Sequence, residues 1–450
     1  MFEFRFWLRI ASLLSFCALT ICLFVISCCC SYQHEWIKAN TDFEDSMFAM
    51  DMWKHSPFGK LKIYIFNVTN AENYLNGRDE KIHLQQIGPI TYDIKSYNYI
   101  LHRAKDSVKY QKERFRYIDF VPYESISPDI LSKTIIQFNK RFSFLSSSIN
   151  DFLHSIFRPL NNIFERKDED FTVNIGPKHG MENFFRILTL NGEHSIKTND
   201  REIFNEGCPI NVQGAFDNSL FPPFITKNTS LNIFASELCR VVPLHYQREE
   251  MEDGLKCYRY LLLRPNEAAP DCLSEANGVR LPKGMFNIRK CLYDPWHKEE
   301  VSLAFSAPHF YGSSYNWSKY FEGLNPNTKE HEAFILLEPT TGIPINERLR
   351  FQSNTILKSD TISKFPDSPH MIVPRFWYDF EMAELPFSVR FGLYIYVSAM
   401  PVLQPMIMVV SLLGAIWSLY KIGRLILQRK RAAAVAEGGQ SYYHENTTSM

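Results

Sequence analysis

Ile10-Ala11-Ser12-Leu13-Leu14-Ser15-Phe16-Cys17-Ala18-Leu19-Thr20-Ile21-Cys22-Leu23-Phe24-Val25-Ile26-Ser27-Cys28-Cys29-Cys30 runs for 21 residues without a charge. At 1.5 Å per residue such a helix crosses about 30 Å of hydrocarbon. A second uncharged run of 30 residues, Phe391 to Tyr420, lies near the other end, and nothing between them is comparable. The chain therefore reads as a hairpin through a membrane, with some 360 residues held on one side between two anchors.

Charge orients the hairpin. Arg5 and Arg9 precede the first run, and Lys421, Arg424, Arg429, Lys430 and Arg431 follow the second. Positive flanks mark the cytoplasmic side, so the middle is expected outside. A cleaved signal peptide is the competing reading of the first run. Its apolar stretch is longer than a signal core, and Cys28-Cys29-Cys30 is not a small-residue cleavage site. Pro401 and Pro405 would kink the second run, which then straightens near Ser398, with Trp417 and Tyr420 at the inner interface. The expected organisation is a cytosolic N-tail at 1–9, a transmembrane helix at 10–31, an ectodomain at 32–395, a second transmembrane helix at 396–420 and a cytosolic C-tail at 421–450, unstructured from Ala432 onward.

The net charge of zero hides a split: the N-tail carries +1, the C-tail +3 and the middle −4. A mildly acidic middle without a basic block excludes nucleic acid as a partner, while the basic C-tail suits an anionic inner leaflet.

Cys17, Cys22, Cys28, Cys29 and Cys30 lie in or beside the first anchor, as small hydrophobes or, for the last three, as acylated or paired thiols. Cys208, Cys239, Cys257, Cys272 and Cys291 fall within 84 residues of the middle. Outside the cell disulfides are expected, and five cysteines allow fifteen ways to form two pairs. Cys257, inside the strand-like run Lys256 to Leu263, is taken as the buried free thiol. Asn67-Val68-Thr69, Asn228-Thr229-Ser230 and Asn316-Trp317-Ser318 are glycosylation sequons on the expected outer side.

Residues 61–121 read mainly as strands, and short strands resume after Phe171. Between them Leu131, Ile135, Phe138, Phe142 and Leu145, then Ile149, Phe152, Leu153, Ile156, Leu160 and Ile163, recur at three- and four-residue steps. This spacing predicts two helices in series over 127–165, with Lys133, Lys140, Arg141 and Arg158 on polar surfaces that could meet acids or anionic particles. His331-Glu332 lacks the second histidine of a zinc-protease helix, and no Gly-x-Ser-x-Gly is present. No catalytic residue, metal site or cofactor is assigned.

Several short motifs follow in fixed order: Ile63 to Asn70, Leu75-Asn76-Gly77, Gln86-Ile87-Gly88-Pro89-Ile90-Thr91-Tyr92, Phe221-Pro222-Pro223-Phe224, Cys239-Arg240, Gly284 to Cys291, Ala307-Pro308-His309-Phe310, Gly323 to Glu332, and Glu338-Pro339-Thr340-Thr341-Gly342. Together with the two anchors they resemble the class B scavenger receptor family, which includes the fatty-acid translocase, the lysosomal integral membrane protein and sensory-neuron membrane proteins. The resemblance implies an α+β fold: a β-rich antiparallel barrel-like ectodomain with an apical helical bundle and an internal tunnel, plus two transmembrane helices. It implies a receptor that captures lipids, fatty acids or lipoprotein-like particles and passes lipid through the tunnel to the bilayer. It also implies the pairs Cys208–Cys272 and Cys239–Cys291, each closing a loop worth about 4 kcal/mol in the chain-entropy model.

The chain departs from the family pattern in three places. Arg280 stands where a further cysteine is usual, Gln86 and Ile90 replace the usual residues around Gly88-Pro89, and the stretch from Val121 to Phe171 is short. The alternative to lipid transfer is an adhesion or recognition receptor that binds a soluble protein or particle at its apex. With no acidic dileucine signal in 421–450, the plasma membrane is expected ahead of endosome or lysosome. A homo-oligomer is left open.

Overall fold

The computed structural model describes residues 2–43, 50, 53–54, 59–138, 144–155, 170–196, 210–235, 240–262, 274–276, 279–287, 303–358 and 370–447. The chain divides into two compact units, Met1–Ile37 with Phe391–Met450, and Lys38–Arg390.

The first unit is helical. A helix spans Phe2–Cys29, a shorter one begins at Tyr32, and a long one runs Met400–Thr447 after a π-helical stretch, Tyr394–Ala399. Two helices are long and apolar enough to cross a membrane, Phe4–Cys29 and Phe387–Val435. They meet through small side chains. Thr20, Ser27, Ser411, Ala415 and Ser418 are all buried, and a Cβ on Gly414 would stand 3.1 Å from Thr20 Cγ2. Small residues let two backbones approach closely where no water drives association. Gln404 completes the junction: its Nε2 donates to Ser27 O (2.7 Å) and Cys30 O (2.8 Å), and its Oε1 accepts from Tyr32 N (3.1 Å). It thus satisfies backbone groups freed where the first helix ends. The tail beyond Ala432, expected to be unstructured, continues the helix to Thr447. Ala432-Ala433-Ala434 are strong helix formers, and a helix already nucleated extends through them at little cost.

The second unit is built on strands. In chain order they are β1 (Gly59–Val68), β2 (Ile82–Arg103), β3 (Ser107–Phe120), β4 (Thr134–Phe138), β5 (Phe144–Ser148), β6 (Asp170–Asn174), β7 (Ile187–Leu190), β8 (Ser195–Ile196), β9 (Ile210–Asn211), β10 (Leu231–Ala235), β11 (Arg240–Glu252), β12 (Leu255–Leu261), β13 (Glu275–Ala276), β14 (Val279–Arg280), β15 (Met285–Asn287), β16 (Leu303–Ser306), β17 (Phe321–Glu322), β18 (Phe334–Leu337), β19 (Pro344–Lys358) and β20 (His370–Met382). The main sheet runs β10-β11-β12-β18-β19-β20-β1-β2-β3-β6-β7, with β15, β16 and β17 attached at its side. Its pairs are antiparallel except β17 with β2.

The sheet is not a closed barrel. Its edges are linked by one residue, Phe216, which bridges Ile233 of β10 on one side and Arg186, just before β7, on the other. Alternation sends Leu61, Ile63 and Ile65 of β1 into one buried cluster, and Phe66 and Val68 into a second. The sheet is therefore buried on both faces here.

The segment 127–165 departs from its expected helices. Over its first half a single 3-10 turn, Ile130–Ser132, leads into the β4–β5 hairpin. The helical spacing of Ile135 and Phe138 is misleading: Ile135 packs in the first cluster and Phe138 in the second, which one helix face could not serve. Thr134-Ile135-Ile136 is also a β-branched run that favours a strand. Residues 149–155 are helical as expected, with Phe152 and Leu153 buried. Phe142, Ile156, Leu160 and Ile163 lie outside the described residues.

Candidate functional site

Several of the sequence motifs, spread between residues 63 and 342, meet in the fold. Gly323 has φ +92°, and a Cβ there would stand 2.0 Å from Leu84 O. Only glycine lets this turn lie against β2. Glu338 accepts from the N–H groups of Thr340 (2.9 Å) and Thr341 (2.7 Å), which closes the Pro339–Gly342 turn. Onto that turn docks Phe221–Ile225, through Phe221 N to Gly342 O, Phe224 N to Thr340 O and Ile225 N to Pro339 O.

His309 is the hub. It is buried with φ +52°, a left-handed conformation that a non-glycine residue holds only when its surroundings fix it. Its N–H donates to Gln352 Oε1 (2.6 Å), and its Nδ1 accepts from Asn325 N–H (3.0 Å). The proton therefore sits on Nε2, which donates to Gln86 Oε1 (2.7 Å); Trp377 Nε1 donates to the same oxygen (2.8 Å). His331 stacks beside it, its Nδ1 accepting from Asn327 N–H (2.9 Å). Burial pushes both imidazoles down, to about 3 for His309 and about 4 for His331. His331 adds to this for His309, while for His331 the Glu330 carboxylate opposes the shift and Arg350 adds to it. Both rings are neutral at physiological pH.

Around this hub charge is paired. Arg259 bonds Glu332 (2.8 Å) and lies over the Phe334 ring at 3.6 Å. Arg350 meets Asp379 (3.2 Å) and donates to Lys329 O and Glu332 O. The hub is thus a framework of complementary bonds that knits β2, β19 and β20 to the turns between them. It presents no nucleophile beside a base.

The expected site residues are placed as follows. Lys133 is exposed at the end of the 3-10 turn. Lys140, Arg141 and Arg158 lie outside the described residues, as do Cys208, Cys239, Cys272 and Cys291. Cys257 is a free thiol, fully buried in β12, and burial pushes it up to about 12. Asn228 and Asn316 are exposed in turns. Asn67 is half-buried on β1, its Oδ1 accepting from Ile136 N (2.8 Å).

A family model described as the CD36 family matches residues 10–162 and 144–422. The chain belongs to the CD36 family. Sensory neuron membrane protein 1 of Antheraea polyphemus is 31% identical over 238 residues, covering 51% of this chain and 41% of that protein. Lysosome membrane protein 2 of Rattus norvegicus is 26% identical over 373 residues, covering 72% of this chain and 74% of that protein. Scavenger receptor class B member 1 of Mus musculus is 25% identical over 400 residues, covering 76% and 74%. These CD36-family relatives bear the names of a receptor and of membrane proteins.

Reading the sequence finds the motifs but misses how they meet. Gln86 and His309 are separated by 223 residues in the chain, and no local pattern encodes their bond. The one available signal was the density of glycines and polar residues inside otherwise apolar motifs.

Proposed function

We propose that this chain is a lipid-handling receptor of the cell surface. It captures lipids, fatty acids or lipoprotein-like particles outside and passes lipid through the ectodomain to the bilayer. The observation that carries this reading is the match to the CD36 family over residues 10–162 and 144–422 in a chain with two candidate membrane spans. Hydrocarbon sheltered in an ectodomain between carrier and bilayer avoids water, at about 0.8 kcal/mol for each CH₂ kept dry.

In this reading both termini are cytosolic and the ectodomain is extracellular, at the plasma membrane. Cys208 pairs with Cys272 and Cys239 with Cys291. Asn67, Asn228 and Asn316 carry glycans, Asn67 through its Nδ2 while its Oδ1 keeps the bond to Ile136. Lys133, Lys140, Arg141 and Arg158 meet anionic particles. No reaction is catalysed. Expression in cells deficient in lipid import, fed labelled fatty acid and cholesteryl ester, tests the proposal. Uptake above mock-transfected cells is expected, and no gain with the protein on the surface overturns it.

The second reading, a recognition receptor without transfer, is favoured by the exposure of Lys133 beside the β4–β5 hairpin. Bulky substitutions on the inner sheet face would spare such binding and abolish transfer.

A further inference from the structure

Arg375 stands where β20 breaks register. β19 and β20 pair Ser353 with Phe376 and Asn354 with Pro374, so Arg375 has no opposite residue. A bulge re-aims a side chain and turns neighbours toward one face. Phe376 points into the inner apolar cluster, and Arg375 carries its guanidinium to the same side, 5.3 Å from the centre of the Phe152 ring. Phe152 in turn meets Phe376 edge-on at 6.0 Å. Gln137 pins the bulge, its Nε2 donating to Arg375 O (3.0 Å) and Phe66 O (3.2 Å).

No carboxylate among the described residues answers this charge. Arg375 Nε is buried without a hydrogen-bond partner. Burial, with no acidic neighbour opposing it, lowers the guanidinium to about 10, which leaves it cationic at neutral pH. Two polar atoms close by are also unmatched: Ser353 Oγ, on the residue facing Phe376, and Gln137 Oε1. Arg259 and Arg350, buried in the same sheet, are both paired with carboxylates. Arg375 is half-buried with its Nε desolvated, and a leucine there would pack against Phe152 and Phe376 without the penalty of an unpaired, partly desolvated cation. The missing partner is therefore an anion that arrives with an apolar body, since the surroundings are aromatic and aliphatic. Arginine binds a carboxylate in a bidentate, geometrically specific way.

We propose that Arg375 is the head-group residue of an internal lipid site, holding the carboxylate of a long-chain acid whose tail lies along Phe152 and Phe376, so that the site selects acids over neutral alcohols and esters. This rests on the lipid-handling reading above and deepens it.

The full chain, purified in detergent, is exposed separately to oleate, oleyl alcohol and lysophosphatidate. After gel filtration the retained lipid is measured by mass spectrometry. Arg375→Met is expected to lower oleate affinity ~10- to 100-fold and to leave oleyl alcohol, with the same tail, unchanged. Arg375→Lys, which keeps the charge but loses the bidentate fork, is expected to bind oleate more weakly than the wild type and more tightly than Arg375→Met. Without lipid, Arg375→Met should unfold no lower than the wild type, because the unpaired charge is gone. Wild-type-like oleate retention by Arg375→Met, equal loss of oleate and oleyl alcohol, or a lowered unfolding midpoint would each overturn the head-group site while lipid carriage stands. Stronger Arg375-dependent retention of lysophosphatidate than of oleate would overturn the carboxylate in favour of a phosphate. If the wild type retains neither oleate nor oleyl alcohol, the lipid-handling reading falls with it.

Discussion

The imidazoles of His309 and His331 lie stacked, with ring centres 4.4 Å apart and planes 28° from parallel. Two rings this close cannot both take a proton without repulsion, and both are buried, so the folded state keeps them neutral. An ordinary histidine in the unfolded chain titrates near 6.5. Since the folded values are depressed, to about 3 and about 4, the pair contributes its full stability above about pH 6.5 and loses it progressively as pH falls toward those values. At pH 5 the loss is about 2 kcal/mol per histidine. The thermal midpoint of the purified protein should drop between pH 7.5 and pH 5, and the drop should shrink in His331→Gln. An unchanged pH slope in that variant would show that other groups dominate.

Asp217 is fully buried and accepts from Tyr110 Oη (2.5 Å) and Ser219 Oγ (2.6 Å), with Lys112 Nζ 3.3 Å away. Burial alone would raise its carboxyl; the Lys112 charge and the hydroxyl bonds outweigh that and hold it below the usual range. The same network reaches Trp53, whose Nε1 donates to Ser219 Oγ (3.2 Å) and which packs edge-on against Tyr110. Asp217→Ala removes the carboxylate that accepts from Tyr110 Oη and Ser219 Oγ and faces the Lys112 charge, and should cost about 3–5 kcal/mol. Denaturant unfolding followed by tryptophan fluorescence measures this; a cost under about 1 kcal/mol would show the network to be dispensable.

Gly323 and Gly254 both have positive φ, +92° and +77°, but differ in their surroundings. A Cβ at Gly323 collides with Leu84 O, whereas nothing lies within 4 Å at Gly254. Gly254→Ala should therefore cost about 1 kcal/mol from backbone strain alone, and Gly323→Ala about 3 kcal/mol or more, through displacement of the turn that carries Asn325 to His309. Surface expression and thermal unfolding of the two variants, side by side, separate the effects. Equal behaviour would refute the close approach.

Between the two spans, Gln404 is the polar residue that satisfies the end of the first helix. Gln404→Leu leaves Ser27 O, Cys30 O and Tyr32 N without it, at a cost of about 1–2 kcal/mol in an apolar setting. Gly414→Ile should separate the helices at Thr20. Both variants, purified as full chains in detergent, are expected to unfold at lower temperature than wild type. A Gly414→Ile protein with an unchanged midpoint would mean that the small-residue contact is not tight.

Much of this molecule was legible in order of locality. The anchors could be read because membrane spanning depends on hydropathy summed over about twenty neighbours, and β1, β2 and β12 because β-branched and aromatic residues crowd there. The helix expected over Leu131–Leu145 failed because the three- and four-residue spacing of Ile135 and Phe138 served two different cores, on opposite sides of a hairpin. Cys257 was recognised as a buried thiol from its apolar run alone. Of the basic residues expected on a helical surface to meet ligand, Lys133 is exposed at the end of a 3-10 turn instead, and nothing local signalled Arg375. Its role comes from a register slip opposite Ser353 and Asn354.

The amino-acid sequence by itself determined that this chain has two spans long enough for a bilayer, a strand-rich body between them and the ordered motifs of the CD36 family, since each is a property of residues adjacent in the chain. Only the tertiary structure decided that Gln86, His309, His331 and Trp377 share one network of hydrogen bonds and ring contacts, that the sheet stays open and is tied at Phe216, and that Arg375 faces apolar surface without a counter-charge. Those relationships depend on which strands pair and in what register, and cooperative packing sets that register over hundreds of residues at once.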